Sequence, residues 1–304
     1  MTAALELEGI LPALITPFTP DGSEVDVTAL AAVVERCVAA GVGGLVPTGS
    51  TGEFPTLSTA ERRIVAGTVL EAADGRVPTV VGTGALATAD AVALSVHAEQ
   101  SGAAAVMVVP PFYEAPTWRE LLAHFATVAD AISIPIMYYN IPGATGTTLT
   151  VEQLAELRRV ANVTTFKDTS GDAVAGTEAF QLAGDLPVVL NGWDTLTFSA
   201  LAAGVRAVVW GSASFMPAEC VHLHRLLIDD LDLAAARELW AKLWPICRLL
   251  ETTSYTSAVK AACGLVGLDT GPVRAPLLPL EPETHAELGR RLQAAGVIAA
   301  EVAG

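Results

Sequence analysis

The stretch VTTFKDTSGD, residues Val163 to Asp172, joins a strand, a cation and a turn within ten residues. Val163, Thr164, Thr165 and Phe166 are all β-branched or aromatic, a composition that favours a strand. Lys167 follows directly, and then a turn of Asp168, Thr169, Ser170 and Gly171. The chain has only three lysines, and the other two, Lys242 and Lys260, fall in stretches with a helical pattern. A lone lysine at the C-terminal end of a strand therefore calls for a chemical reason.

Other short apolar runs lie on either side of this one: Ile10–Thr16, Gly44–Thr48, Thr79–Gly82, Ala104–Val109, Ile134–Tyr139, Pro187–Asn191 and Ala207–Gly211. Most are continuously apolar rather than alternating, as strands of a parallel sheet covered on both faces are. Helical patterns separate them, with start signals at Asp26, Thr88, Thr117 and Thr150 and a capping box at Ser58 to Glu61. Eight such units predict an α/β fold of the (β/α)8 TIM-barrel type. An open doubly wound sheet uses the same alternation, but no GxGxxG follows the first strand, and eight units favour closure. Beyond Gly211 the pattern is almost wholly helical from Pro217 to Gly267, with a further helix near Glu283–Ala295. Residues 1–215 are expected to form the barrel core, and 216–304 a C-terminal helical extension packed on it.

Composition narrows the function. The chain has 304 residues, 52% of them hydrophobic, enough for one large α/β core. A net charge of −16 argues against nucleic acid, whose phosphates need clustered lysine and arginine. No apolar run is long enough to span a membrane and no secretory leader stands at the N-terminus, so a cytoplasmic location is expected. Cys37, Cys220, Cys247 and Cys263 show no paired spacing and read as buried thiols. The high mean hydropathy suggests that part of the surface is covered by another subunit.

In a barrel the chemistry collects where strands end. Those positions carry Gly49-Ser50-Thr51-Gly52-Glu53, Tyr113, Tyr139, Lys167, Thr169, Asn191-Gly192-Trp193-Asp194 and Ser212. A rim lysine suits a Schiff base with a carbonyl substrate, since a dry pocket favours the neutral amine that attacks. An ion pair with Asp168 is the competing role for it. A glycine- and hydroxyl-rich loop leaves backbone N–H groups for a carboxylate. A phenol such as Tyr139 can shuttle protons to and from a carbinolamine, or simply fill core space. Lysine, phenol and anion loop together suit imine chemistry on a 2-oxo acid.

Six motifs in order, GSTGEFPTLS (49–58), VGTGALAT (81–88), VVPPFYEAP (108–116), YYNIPGATG (138–146), FKDTSGD (166–172) and ALAAGVRAVVWGSA (200–213), resemble the dihydrodipicolinate synthase / N-acetylneuraminate lyase family of class I aldolases. The resemblance implies that Lys167 forms the imine and that Tyr139 stands beside it. It implies that Ser50 and Thr51 hold the substrate carboxylate, with Ser50 in the proton relay. Tyr113 would complete that relay from a neighbouring subunit, in a homo-oligomer built as a dimer of dimers. It places Gly192, Asp194 and Ser212 against the distal part of the substrate, Val209 on the pyruvate wall and Thr169 near the lysine. It implies no metal and no organic cofactor.

Two departures bear on the substrate. Ala144 stands where dihydrodipicolinate synthases carry an arginine, so no guanidinium is supplied there for a second carboxylate. Thr195 stands where sialic acid lyases carry a glutamate. The GSTGEF spelling and the Lys-Asp-Thr triplet are compatible with members that cleave or dehydrate 2-oxo-3-deoxy sugar acids or 4-hydroxy-2-oxo acids. A metal-dependent aldolase would need ligands converging at the rim, whereas His97, His124, His222, His224 and His285 all fall in helical or tail stretches. A silent barrel that only binds a 2-oxo acid would need no nucleophile. The reading is a lyase acting on pyruvate or a pyruvate-yielding 2-oxo acid.

Overall fold

The computed structural model describes residues 7–182 and 186–299. Seven strands form one sheet: β1 (Gly9–Pro12), β2 (Val80–Gly82), β3 (Ala105–Val108), β4 (Ile136–Asn140), β5 (Val163–Asp168), β6 (Val188–Asn191) and β7 (Ala207–Trp210). Their order is β1-β7-β6-β5-β4-β3-β2, and every pairing is parallel. The strand expected at Gly44–Thr48 has no regular ladder, only the single bridges Ala13↔Val46 and Leu45↔Thr79. Even so, this segment closes the barrel. Val46 N–H donates to the Pro12 carbonyl and Leu14 N–H to that of Val46, while Val80 N–H donates to Leu45 and Gly82 N–H to Pro47.

The irregularity has a local cause. Pro47 has no N–H to offer the ladder. A Cβ on Gly43 would lie 1.7 Å from the Glu8 carbonyl oxygen, so the segment passes its neighbour at glycine-only distance.

Alternation along the strands gives two apolar layers. Leu11, Val80, Met107, Met137, Tyr139 and Val209 fill the barrel interior. Tyr138 and Phe166 face outward instead and stack at 5.7 Å beneath the Trp118–Ala131 helix, where Phe125 meets them.

Most helix starts form as the sequence predicts. Asp26 accepts from Ala29 N–H, and Ser58 and Glu61 close a capping box at Thr59–Ala73. Glu120 takes the N–H and hydroxyl of Thr117, and Thr150 pairs with Gln153. The cap expected at Thr88 does not form. Thr88 is itself the first helical residue, and its hydroxyl lies 2.9 Å from His124 Nδ1.

The Pro217–Ile228 helix, just past the boundary expected at 215/216, packs on β1 and on Val27–Ala39. Helices Leu233–Glu251, Tyr255–Leu265 and Pro282–Ala295 pack on one another; the first also touches Asp194–Leu196, and the second Gly211–Ser214. They therefore reach the rim where the predicted site residues stand. Among the described residues, no helix is long and apolar enough to cross a membrane.

Candidate active site

The position of Lys167 depends on one inserted residue. β4 and β5 pair Ile136 with Val163 but Met137 with Thr165, so Thr164 is bulged out of the parallel ladder. Without that shift Tyr139 would stand opposite Phe166. With it, Tyr139 pairs with Lys167, and both point into the barrel. Lys167 is 5% exposed, and its Nζ lies 3.8 Å from the centroid of the Tyr139 ring, over its face. A ring face stabilises an ammonium there, and it would equally stabilise the iminium cation that an imine carries.

No ion pair with Asp168 forms. That carboxylate instead accepts from Asn140 Nδ2 at 2.8 Å and from the N–H and hydroxyl of Ser170. Among the described residues the Lys167 ammonium has no carboxylate partner. Its route to the cavity runs past Gly192, where a Cβ would sit 2.7 Å from Lys167 Cε and 2.3 Å from Thr169 Oγ1.

The cavity at Lys167 has a volume of about 240 Å³. On one side it meets Ser50 and Thr51, in the loop after the closing segment. Thr48 and Glu53, on either side of that loop, both adopt left-handed φ angles, 56° and 57°. For a β-branched threonine this conformation costs on the order of 1–3 kcal/mol. Bonds from its hydroxyl to the Pro47 and Gly82 carbonyls, at 2.7 and 2.8 Å, hold it there. The amides of Gly52 and Glu53 are used within the loop. Among the described residues, those of Ser50 and Thr51 have no intraprotein acceptor, which leaves them for an anion. Ser50 Oγ lies 3.5 Å from the Tyr139 hydroxyl, long for a hydrogen bond. Such contacts in ligand-free sites often tighten around substrate.

Strand lengths, the rim lysine and the glycine-hydroxyl loop together narrow the choice of family, and comparison with known proteins decides it. The model of the dihydrodipicolinate synthetase family matches residues 6–295. The chain belongs to that family. It is 41% identical over 294 residues to the 4-hydroxy-tetrahydrodipicolinate synthase of Sorangium cellulosum, covering 95% of this chain and 97% of the relative. The synthase of Thermomicrobium roseum is also 41% identical, over 93% of this chain and 92% of its own. A prophage protein of the dihydrodipicolinic acid synthase family from E. coli K12, YagE, solved in complex with pyruvate, superposes with a TM-score of 0.90. It is 31% identical over 96% of this chain and 99% of its own. The fold is accordingly a TIM barrel with C-terminal helices, and the enzyme is a lyase of the pyruvate Schiff-base type.

Within this family member the predicted residues divide. Ser50, Thr51, Tyr139, Lys167, Thr169, Gly192, Asp194 and Val209 all line the one cavity. Thr169 Oγ1 is buried there without a partner, a hydroxyl available to a ligand. Ser212 is not among the lining residues. It is fully buried, and its hydroxyl donates to Asp194 Oδ2 at 2.5 Å, so it orients a carboxylate rather than meeting substrate. Tyr113 is 86% exposed and does not reach this cavity within one chain.

Three lining residues come from beyond the barrel: Glu251, Tyr255 and Thr256. Tyr255 donates to Asp194 Oδ1 at 2.8 Å, so both oxygens of this buried carboxylate are engaged. Burial pushes the Asp194 pKa up to about 6, with the charge of Glu251 adding to the rise. Thr256 Oγ1 lies 3.4 Å from the Ser50 carbonyl. Lys260, on the same helix, holds the loop from below. Its ammonium donates to Glu53 Oε1 at 2.8 Å and to the carbonyls of Thr16 and Pro272, and it lies 4.0 Å over Phe18. Burial lowers the pKa of Lys260, and Glu53 opposes that shift. The third lysine, Lys242, falls in the Leu233–Glu251 helix, so Lys167 is the one placed for imine chemistry.

Proposed function

We propose that this chain is a class I aldolase that forms or breaks a carbon–carbon bond next to pyruvate, through an imine on Lys167. The carrying observation is a buried lysine that, among the described residues, has no carboxylate partner and lines the same cavity as the Ser50 and Thr51 amides and hydroxyls. The substrate carboxylate docks on the Ser50 and Thr51 amides and hydroxyls. The Lys167 amine attacks C2, and Tyr139 carries the protons that turn the carbinolamine into iminium and water. For a 4-hydroxy-2-oxo acid, deprotonation at the C4 hydroxyl breaks the C3–C4 bond. The electron pair flows into the iminium to give an enamine and a free aldehyde. Protonation at C3 and hydrolysis then release pyruvate and restore the amine. The substrates this favours are 2-oxo-3-deoxy sugar acids and 4-hydroxy-2-oxo acids. Loss of water from a 2-oxo-3-deoxy acid would begin from the same imine.

The names of the relatives at 41% identity support a second reading, as a 4-hydroxy-tetrahydrodipicolinate synthase. A dipicolinate carries two ring carboxylates and a ring nitrogen. If pyruvate supplies one carboxylate, the aldehyde partner must bring the other together with an amine. Among the described residues, no second cation lines this cavity to receive that second carboxylate. The cation lining it is Lys167, and Ala144, exposed on the short Pro142–Thr145 helix, supplies none.

Tyr113, so exposed in one chain, is proposed to enter the site of a second copy within a homo-oligomer, where it would extend the relay. Mixing Lys167→Ala and Tyr113→Phe subunits tests this, because hybrid assemblies would hold one complete site and regain activity.

The primary test is mass analysis after incubation with pyruvate and borohydride. A single reduced adduct on the peptide containing Lys167, absent from a folded Lys167→Ala variant that has lost turnover, is the expected result. Substantial turnover in that variant would refute the imine. An aldehyde screen then separates the two readings.

A further inference from the structure

Two carboxylates in different situations line the cavity. Asp194 is buried and saturated, with Ser212 on one oxygen and Tyr255 on the other. Glu251 ends the Leu233–Glu251 helix and is only partly buried. One residue grips it at two points. The Thr195 backbone N–H donates to Oε1 and the Thr195 hydroxyl to Oε2, both at 2.8 Å. This grip fixes the plane of the carboxylate while leaving each oxygen a second lone pair, and Glu251 lines the cavity. A carboxylate held rigidly by its neighbours enters a hydrogen bond with little further ordering cost.

A second, independent feature of the same cavity points to a ligand. The Lys167 ammonium, 5% exposed, lines it with the Tyr139 ring face beside it and no carboxylate partner among the described residues. One molecule occupying this space would meet both the Lys167 cation and the Glu251 carboxylate, which line the same cavity. Among the described residues, no arginine or histidine lines the cavity to neutralise that anion. Hydroxyl groups suit such a wall, because they donate charge-assisted hydrogen bonds to a carboxylate. A second carboxylate on the substrate would be repelled, and like charges forced together across a dry contact cost several kcal/mol.

We propose that Glu251, positioned by Thr195, determines specificity for the aldehyde half of the substrate. It accepts hydrogen bonds from hydroxyls on the distal chain and rejects a chain that ends in a carboxylate. This rests on the reading that Lys167 forms the imine, and it commits that site to polyhydroxylated aldehydes.

The test compares pyruvate condensation with D-glyceraldehyde and with succinate semialdehyde, in the full-length protein and in Glu251→Gln. Borohydride trapping of pyruvate on Lys167 reports the imine end in each. The parent protein should prefer glyceraldehyde. In Glu251→Gln the ratio of the two kcat/KM values should fall roughly ten- to a hundred-fold, the worth of a hydrogen bond to a charged group. Thr195→Val, which keeps the amide contact and loses the hydroxyl, should show a smaller fall in the same direction, carried by KM for glyceraldehyde. An unchanged ratio in Glu251→Gln, with the pyruvate adduct still forming, overturns the role of Glu251 and leaves the imine standing. Failure of the parent protein to form any adduct refutes the imine reading, and the inference with it.

Discussion

Replacing Gly192 with alanine should damage the chemistry far more than the fold. The backbone at Gly192 is not in the left-handed region, so alanine meets no conformational strain there, and the bond from its N–H to the Asp168 carbonyl at 2.7 Å is kept. The added methyl, however, would stand 2.7 Å from Lys167 Cε, 3.0 Å from Lys167 Cγ and 2.3 Å from Thr169 Oγ1. Carbon atoms rest at about 3.5–4.0 Å, so the lysine stem must retreat by about 1 Å. Displacement of that size at a reacting centre costs on the order of 10²-fold in rate. Overpacking costs about 1–3 kcal/mol, offset by about 0.4–1 kcal/mol from the stiffer unfolded chain, a modest net loss.

The assay is the rate of borohydride-trapped pyruvate adduct formation, run beside a urea unfolding curve. The expected pairing is an imine rate down about a hundred-fold with the native fold retained. Removing the nearer clash as well, in a Gly192→Ala, Thr169→Ala double variant, should recover only part of the rate, because the contacts with the lysine stem remain. An imine rate in Gly192→Ala within about threefold of the parent, against the hundred-fold loss that misplacing a reacting group brings, would show that Lys167 does not use this path. The steric reasoning would fail with it.

Two further outcomes follow from the buried charges. Lys260→Met leaves Glu53 buried with only the Arg274 N–H on its other oxygen, at 2.9 Å. Stability should fall by about 3–5 kcal/mol, with KM for pyruvate rising as the Ser50 and Thr51 loop loosens. A Glu53→Gln, Lys260→Met double variant should regain most of the stability, and equal loss in both would show that the ion pair is not the cause. Asp194, raised from 3.8 to about 6, holds its proton more tightly folded than unfolded. The folded state therefore binds more protons between those values, and stability should decline by about 3 kcal/mol as pH rises from about 4 to 6. Asp194→Asn should flatten this part of the profile in urea midpoints measured across that range, and an unaltered slope would remove Asp194 as its source.

The sequence shows the barrel because its strands are continuous apolar runs, and it shows the lysine because nothing else at a strand end resembles it. Other features leave no such trace. The bulge at Thr164 adds one β-branched residue to a β-branched run, so neither composition nor periodicity reveals that Tyr139 meets Lys167. The closing segment appears as an ordinary strand until Pro47 and Gly43 are set against their neighbours. Ser212 stands at a strand end as expected, but burial turns its hydroxyl toward Asp194 and away from substrate. Glu251 and Tyr255 are invisible at that level, because they enter the site from helices that the strand-end rule does not search.

Those late contributions show what the C-terminal helices do for the site. Lys260 satisfies the buried charge of Glu53, and Thr256 reaches the Ser50 carbonyl, so the carboxylate loop depends on the Tyr255–Leu265 helix. Tyr255 and Glu251 set the cavity wall through Asp194 and Thr195. Strands β4 and β5 set the amine opposite the phenol through their register. Removing these helices would leave the Glu53 carboxylate without its cation and take away the Glu251 and Tyr255 side of the cavity. The helices are therefore part of the active site, because the Tyr255–Leu265 helix supports both the carboxylate loop and the Asp194 wall.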